Sequence, residues 1–590
     1  MQATEMPQDL FAQALQLHQQ GHLDQARALY AALLAELPGH AQAMHMLGAL
    51  ALQTGDARLA IRWINASIDI DAFNPASHLN LGLAWQAQGQ WPRALACFDE
   101  ALRLQPDYAQ GLLHRGGALH ACQRLDEALQ CYQRVLQLHP DFAEAWYNQG
   151  LALAALGRTA QAQASYARAI ALRPGYAPAL NNCGVILEAQ QRLDEAAHHY
   201  GLAIASQPDF APAHYNLGNV RRTQQRWQEA LAAYDTCLAL QADNAQAWLN
   251  RALVLQALGL RAQALESYDR AIAIDPHYAD AYWNKALDLL AAGDFAQGWP
   301  LYEWRWQRAN FSAQRRSFSQ PLWLGQTDVD GKTVLLHAEQ GLGDTLQFCR
   351  FVPLVRALGA QVWLEVPRSL ISVCQWLEGV HRVIEKTPNP PLTDLHCPLL
   401  SLPLALRIRQ DQLPERVPYL RSSQAQREVW RQTLGPTTLP RIGVVWSGNP
   451  ADRHDAQRSL RLEQWLPYLP PGLDYLCLQK ALRQEDCMAL AQSGIRFVGD
   501  AIGDFSDTAA LCDLVDLVVS VDTSVAHLAG AMGRPTWILL PHDADWRWMY
   551  EREDSPWYPS VRLYRQGPAR AWPAVLQRVA EDLQSRYPSC

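Results

Sequence analysis

The sequence predicts an all-α repeat array followed by an α/β region made of two βαβ-built halves. Three observations carry this. Small and aromatic residues recur every 34 positions through the first half. The period is lost after residue 310. Beyond it, β-branched apolar runs alternate with segments of helical period, the pattern of a parallel sheet.

The repeats come first. Pro38, Pro106, Pro140, Pro174, Pro208 and Pro276 are spaced by 34 or 68, and the same step links Gly48, Gly82, Gly116, Gly150, Gly184 and Gly218. It also links Ala60, Ala94, Ala128, Ala162, Ala196, Ala230 and Ala264 with the aromatics Tyr30, Phe98, Tyr132, Tyr166, Tyr200, Tyr234, Tyr268 and Tyr302. A small residue in each helix and an aromatic between them let two antiparallel helices pack closely and stack on the next pair. The unit resembles the tetratricopeptide repeat. About nine copies are expected over 5–309, within a first domain of 1–309, and "WPLYEWRW" (299–306) marks a divergent last unit. Asn80, Asn148, Asn182, Asn216, Asn250 and Asn284 share one phase, with His114 filling the gap. An amide offers both donors and an acceptor. The series reads either as a ladder gripping an extended peptide backbone through Asn148, Asn182, Asn216, Asn250 and Asn284, or as a consensus residue bonding within each repeat.

A linker, 310–332, follows ("RANFSAQRRSFSQP" at its start). Then "KTVLLHAEQGLGDTLQFCRFVPLVRALGAQVWLEV" predicts strand 333–338, helix 344–358 and strand 361–366. A Pro-rich stretch at 386–440 leads to strand 441–446, which ends in a Ser-Gly-Asn turn. Strands are expected near 474–479, 495–498, 515–520 and 535–540, and a closing helix lies at 571–590. The expected domains are 333–437 and 438–570, Rossmann-like halves facing a cleft. Ligands of such folds bind outside the carboxyl ends of the strands.

Composition excludes some classes. The 590 residues carry a net charge of -8 with no long basic run, so a broad nucleic-acid face is not expected. No stretch approaches a membrane span, and "MQATEMPQDLFAQALQL" lacks a signal peptide's basic and apolar regions, so cytoplasm is the expected location. The twelve cysteines form no C-x-x-C pair, so neither a zinc site nor a disulfide framework is favoured.

Three polar turns carry the candidate chemistry. Gly341-Leu342-Gly343-Asp344 sits where the first strand meets a helix; Gly343 allows close approach of a ligand, and Asp344 reads as a general base or as a helix N-cap paired with Gln347. "WSGNPADRHDAQRSLRLEQW" (446–465) is the most cationic loop. Ser447 and Gly448 would let a phosphate or ribose come close, and Arg453, Arg458 and Arg461 could clamp it. Asp522-Thr523-Ser524 ends an apolar strand and opens a helix with His527 one turn in, which makes either an anion site or a capped helix with a core histidine. His542, Asp543 and Asp545 lack an established metal-ligand spacing, and "DVD" (328–330) beside Gly331 reads as a turn.

Together these loops resemble the ADP-heptose:lipopolysaccharide heptosyltransferase family over about 330–565, with "D-T-S-x-x-H-L-A" followed by "G-x-P" as the strongest element. The resemblance implies two Rossmann-like domains in the GT-B fold. It implies Asp344 as the base, and Asp522, Thr523, Ser524 and His527 around the donor diphosphate. The family's cationic phosphate residue has Arg453 and Arg458 as candidates. Neither metal nor cofactor is implied. A repeat array ahead of such a unit is similar to protein O-linked N-acetylglucosaminyltransferase. The expectation is an inverting glycosyltransferase that takes a nucleotide sugar as donor and a protein in the repeat groove as acceptor. Two alternatives stand beside it: a glycan or lipopolysaccharide acceptor with the repeats docking a partner, and an inactive scaffold.

Overall fold

The computed structural model describes residues 7–312, 315–414, 417–450 and 455–588. The chain divides into two compact units, Met1–Val254 and Leu255–Cys590.

In the first unit, antiparallel helix pairs run from Pro7–Gln19 and Leu23–Glu36 to Ala211–Thr223 and Trp227–Leu240. The 34-residue period is a packing contact repeated. A Cβ on Gly82, Gly116, Gly150, Gly184 or Gly218 would lie 2.4 to 2.6 Å from the ring of Phe98, Tyr132, Tyr166, Tyr200 or Tyr234 respectively. Those rings are buried, so only glycine lets the paired helices approach this closely.

The second unit holds further helices and two sheets. Its boundary falls inside the helix Ala245–Ala257, short of the 309 expected for the end of the array. The reason is a shared core: Phe295, Trp299 and Tyr302 from the last short helix pack with Val334 and Leu336 of the first sheet and with Trp546 and Trp557. That helix, Phe295–Tyr302, contains Pro300 and gives way to a 3-10 turn, Glu303–Gln307.

Strands β1 (Thr333–His337), β2 (Gln361–Val366), β3 (Val380–Glu385) and β4 (Leu395–Pro398) form a sheet in the order β3-β2-β1-β4. Strands β5 (Arg441–Val445), β6 (Asp474–Cys477), β7 (Arg496–Phe497), β8 (Leu517–Val521), β9 (Thr536–Leu540) and β10 (Val561–Arg565) form a second, ordered β10-β9-β8-β5-β6-β7. All pairings within both sheets are parallel. β5, β8 and β9 are buried along their whole length, which explains their continuous apolar composition.

Several elements differ from the sequence reading. The helix expected at 344–358 is two pieces, Leu342–Phe348 and Val352–Ala357, joined by a 3-10 turn. Pro353 lacks the N–H that a continuous helix needs and sits instead in the first turn of the second piece. β3, β4 and β10 were not expected. The linker is not a bare connector: Leu322 bridges to His396 of β4, and Trp323 donates its N–H to the His396 carbonyl at 2.8 Å.

Candidate active site

The carboxyl ends of β1, β5, β6, β8 and β9 open on one cleft of about 890 Å3. Its lining includes Gly343, Asp344, Ser447, Arg458, Asp522, Thr523, Ser524 and His527. Eight of the donor-site and catalytic candidates therefore meet in one place. Arg453 lies outside the described residues. Arg461, after the short helix that carries Arg458, is not part of the lining.

On the first wall, Gly341 rather than Asp344 is the N-cap of Leu342–Phe348. Asp344 is the third helical residue and accepts the Gly341 N–H at 2.9 Å through Oδ2, the returning half of a capping box. The expected cap is therefore corrected: Asp344 is not the N-cap, and Gln347, buried with neither side-chain amide atom partnered, does not pair with it, because two glycines bring the chain into the turn before the carboxylate. The other oxygen, Oδ1, accepts from Arg547 at 2.6 Å. Burial lifts the Asp344 carboxyl above its usual range, and Arg547 opposes that shift. Arg547 also donates to Asp545 at 2.8 Å and lies over the Trp546 ring. Burial works against its charge, and Asp344 and then Asp545 more than offset this and keep it protonated.

Gly343 faces His527: a Cβ there would meet the imidazole Cδ2 at 2.8 Å. His527 is 5% exposed, stacks on Trp548 and shares a 3.0 Å hydrogen bond between Nδ1 and the Tyr558 hydroxyl. Burial, aided by Arg547, pushes its pKa down to about 3, so at neutral pH it is an uncharged hydrogen-bonding group. Asp522 lies 3.7 Å from its Nε2. Burial, followed by the charge of Asp545, lifts Asp522 to about 6. The pair brings no positive charge to an anion. Thr523 is the N-cap of Ser524–Ala531 and makes no side-chain cap, its hydroxyl lying 3.0 Å from that of Ser520. The first N–H groups of that helix therefore have no side-chain acceptor at their cap.

The positive charge comes from elsewhere. Lys480 and Arg483, past the end of β6, line the cleft with Arg458 and Arg547. Asp455, 3% exposed, accepts from Arg483 and lies 3.7 Å from Arg458 Nε, so one buried carboxylate draws both guanidinium groups to the Ser447-Gly448 turn. Gln479 fixes the turn itself: its Oε1 accepts the N–H of Trp446 at 2.7 Å and of Ser447 at 3.2 Å, and its Nε2 donates to the Ser447 hydroxyl at 3.0 Å. Lys480, Arg483 and Arg547 were not singled out in the sequence. A cation just past a strand end was the available signal for Lys480. Arg547 sits in the tryptophan-rich "DADWRWMY", which reads as packing.

The repeat asparagines divide. Asn250 Nδ2 donates to the Tyr215 hydroxyl at 3.1 Å and to Asn219 at 2.9 Å. Asn216 donates to Asn181, and Asn284, in the second unit, donates to the Asp280 carbonyl. Asn182 accepts from Asn181. Asn148 is half-buried and has no side-chain partner among the described residues. Asn182, Asn216, Asn250 and Asn284 each therefore make at least one side-chain hydrogen bond within the protein.

Among the described residues no helix is long and apolar enough to cross a membrane, and no three potential metal-ligating side chains gather. The DVD stretch is a turn, with Asp330 N–H donating to Asp328 and Gly331 at a φ of +69°.

Comparison with known proteins bears on the array. Models described as tetratricopeptide repeat match residues 11–75, 147–212, 184–245 and 215–279, and 75–108; one described as TPR repeat matches 116–157. Protein FlbA of Caulobacter vibrioides is 28% identical over 315 residues, which is 49% of this chain and 52% of FlbA, so the match spans about half the length of that relative. Similar solved structures include an APC/C hetero-tetramer (18% identical, 49% of this chain and 57% of that one, TM-score 0.38) and the type IV pilus biogenesis factor PilW (23%, 35% and 96%, 0.33). A third is YrrB, a TPR protein with an unusual peptide-binding site (21%, 32% and 98%, 0.28). The N-terminal part of the chain, about 290 residues, is an array of tetratricopeptide repeats, and parallel α/β sheets follow it.

Proposed function

We propose that the protein is an inverting, metal-independent glycosyltransferase of GT-B type that moves a sugar from a nucleotide-sugar donor to a protein acceptor recruited by the repeats. The observation that supports this most is the meeting of a raised carboxyl, Asp344, with four cations and a helix N-terminus around one cleft. In this reading the acceptor oxygen attacks the anomeric carbon from the side opposite the nucleotide. Asp344 takes the proton as the new C–O bond forms. The bond between the anomeric carbon and the phosphate oxygen breaks, and its electron pair leaves with the nucleotide. Arg458, Lys480 and Arg483 and the amides at Ser524 stabilise that charge. Arg547 holds Asp344 in place and is drawn toward the phosphates when donor binds, leaving the carboxylate to the acceptor.

The Asp344–Arg547 pair also favours a second reading, a nucleotide-binding scaffold in which Asp344 only anchors an arginine. One experiment separates the two. The full chain is incubated with a panel of nucleotide sugars and released nucleotide is scored with and without lysate proteins. Release that depends on added protein supports transfer, and binding without release supports the scaffold. A chain that neither binds nor consumes any donor fits neither.

A further inference from the structure

Two sequence features remain without a role in the cleft: the arginine-bearing linker and the aromatic "WPLYEWRW". The fold brings them together. Trp306, Arg315, Arg316 and Phe318 line a niche with His337 of β1, His396 of β4, Glu339 and Lys386. Its volume is about 40 Å3, room for a head group of a few heavy atoms and too small for a sugar or a nucleotide. We propose that this niche binds a small oxyanion, a carboxylate or phosphoryl group carried on a flat or apolar body.

Charge is the first argument. Three acids stand near: Glu365 accepts both Nη atoms of Arg316, at 2.5 and 3.0 Å, and the Thr387 N–H, while Glu303, at 2.6 Å, and Glu339, at 3.1 Å through both oxygens, share Arg305. Burial lifts Glu339 to about 7, which thins its charge at neutral pH. Among the described residues neither Arg315 nor Lys386 has a carboxylate within ion-pair distance, although Glu365 and Glu339 act on Lys386 from farther off. The surplus is therefore positive. The histidines register it: burial, then Arg315 and Arg316, pushes His396 down to about 4, and burial, His396, Arg316 and Lys386 push His337 down as well.

Unspent hydrogen-bonding capacity is the second argument. His337 is 4% exposed and its Nδ1 has no partner, although its Nε2 lies 3.2 Å from His396 Nδ1. Arg316 Nε is buried and unpartnered too. Buried polar atoms left so are costly unless something satisfies them. An oxyanion does this for both. With His396 Nδ1–H donating to His337 Nε2, the other His337 nitrogen becomes a donor. Phe318 stacks on both imidazoles, at 4.5 Å on His337 and 4.0 Å on His396, and Trp306 adds a second aromatic wall for the body behind the charge. The niche does not depend on what the cleft holds.

The test uses the full chain with labelled histidine side chains, titrated with orthophosphate and, separately, acetate while the imidazole NMR signals are followed. The expected result is saturable movement of the His337 and His396 signals and a rise in the His396 pKa. Response to phosphate alone assigns a phosphoryl group, and response to acetate a carboxylate. Arg315→Gln and Lys386→Gln, both at exposed or half-exposed positions, should each weaken binding about tenfold while the spectrum of the folded chain persists. Signals that neither anion moves, that respond in both variants at the same anion concentration as in wild type, or movement confined to His527 in the cleft would overturn the proposal.

Discussion

Gly150 in the repeats and Gly343 in the cleft obey one steric rule to different ends. A Cβ would come 2.4 Å from the Tyr166 ring at Gly150 and 2.8 Å from the His527 ring at Gly343. In the array the ring is core filler, and the contact recurs in five successive repeats, from Gly82 to Gly218. In the cleft the ring belongs to a wall built from another sheet, with its second nitrogen tied to Tyr558. The same demand for a hydrogen in place of a methyl serves packing in one place and an approach of two loops in the other.

The largest effect that sharpens this contrast is at the carboxylate. Asp344→Asn should lower sugar transfer per folded molecule by about a hundredfold to ten-thousandfold, the usual worth of a general base. Next come the glycines. Gly150→Ala should cost about 1–3 kcal/mol in urea unfolding of its unit and leave transfer per folded molecule unchanged. Gly343→Ala should do the reverse, lowering transfer about tenfold or more with a smaller stability loss, because His527 is displaced at the rim of open space. Equal behaviour of the two variants would erase the distinction.

A pH dependence follows from Asp522, whose folded pKa is raised from 3.8 to about 6. The folded state holds that proton more tightly, so its contribution to stability is full below about 4 and is lost as pH rises through 6. It amounts to about 3 kcal/mol at most. Asp522→Asn should therefore raise the thermal midpoint above wild type at pH 8, and the gain should vanish near pH 4. His527 works with the opposite sign, lowered from 6.5 to about 3, and is present in both proteins. The smallest effects are in the repeats. Asn148→Ala should weaken an acceptor peptide about fivefold, whereas Asn250→Ala, whose amide is spent on Tyr215 and Asn219, should cost stability instead, as seen in peptide titration set against urea unfolding.

Legibility followed range. Local periodicity exposed the repeats, because Gly150 and Tyr166 sit in consecutive helices of one repeat. The buried parallel strands β1, β5, β8 and β9 showed as apolar runs. β3 and β10 did not: β3, "VHRVIE", is largely exposed on an edge, and β10, "VRLYR", alternates with arginines. In the site, the glycine and hydroxyl turns at strand ends were visible because their residue types are unusual there. The partner of Asp344 was not. Arg547 meets it only after the chain has folded back over some two hundred residues, and nothing local to either residue marks the pair. The helix cap was displaced for a related reason: Gly341 can cap with backbone alone, so the acid at the third position answers it.

The central claim is that Asp344 acts in the chemical step and not in donor binding. Its most direct test is the single-turnover transfer rate of Asp344→Asn beside wild type, with donor affinity measured on the same preparations. The expected result is a transfer rate reduced at least a hundredfold with donor affinity kept within a few fold. Equal transfer rates in the two proteins would contradict the claim.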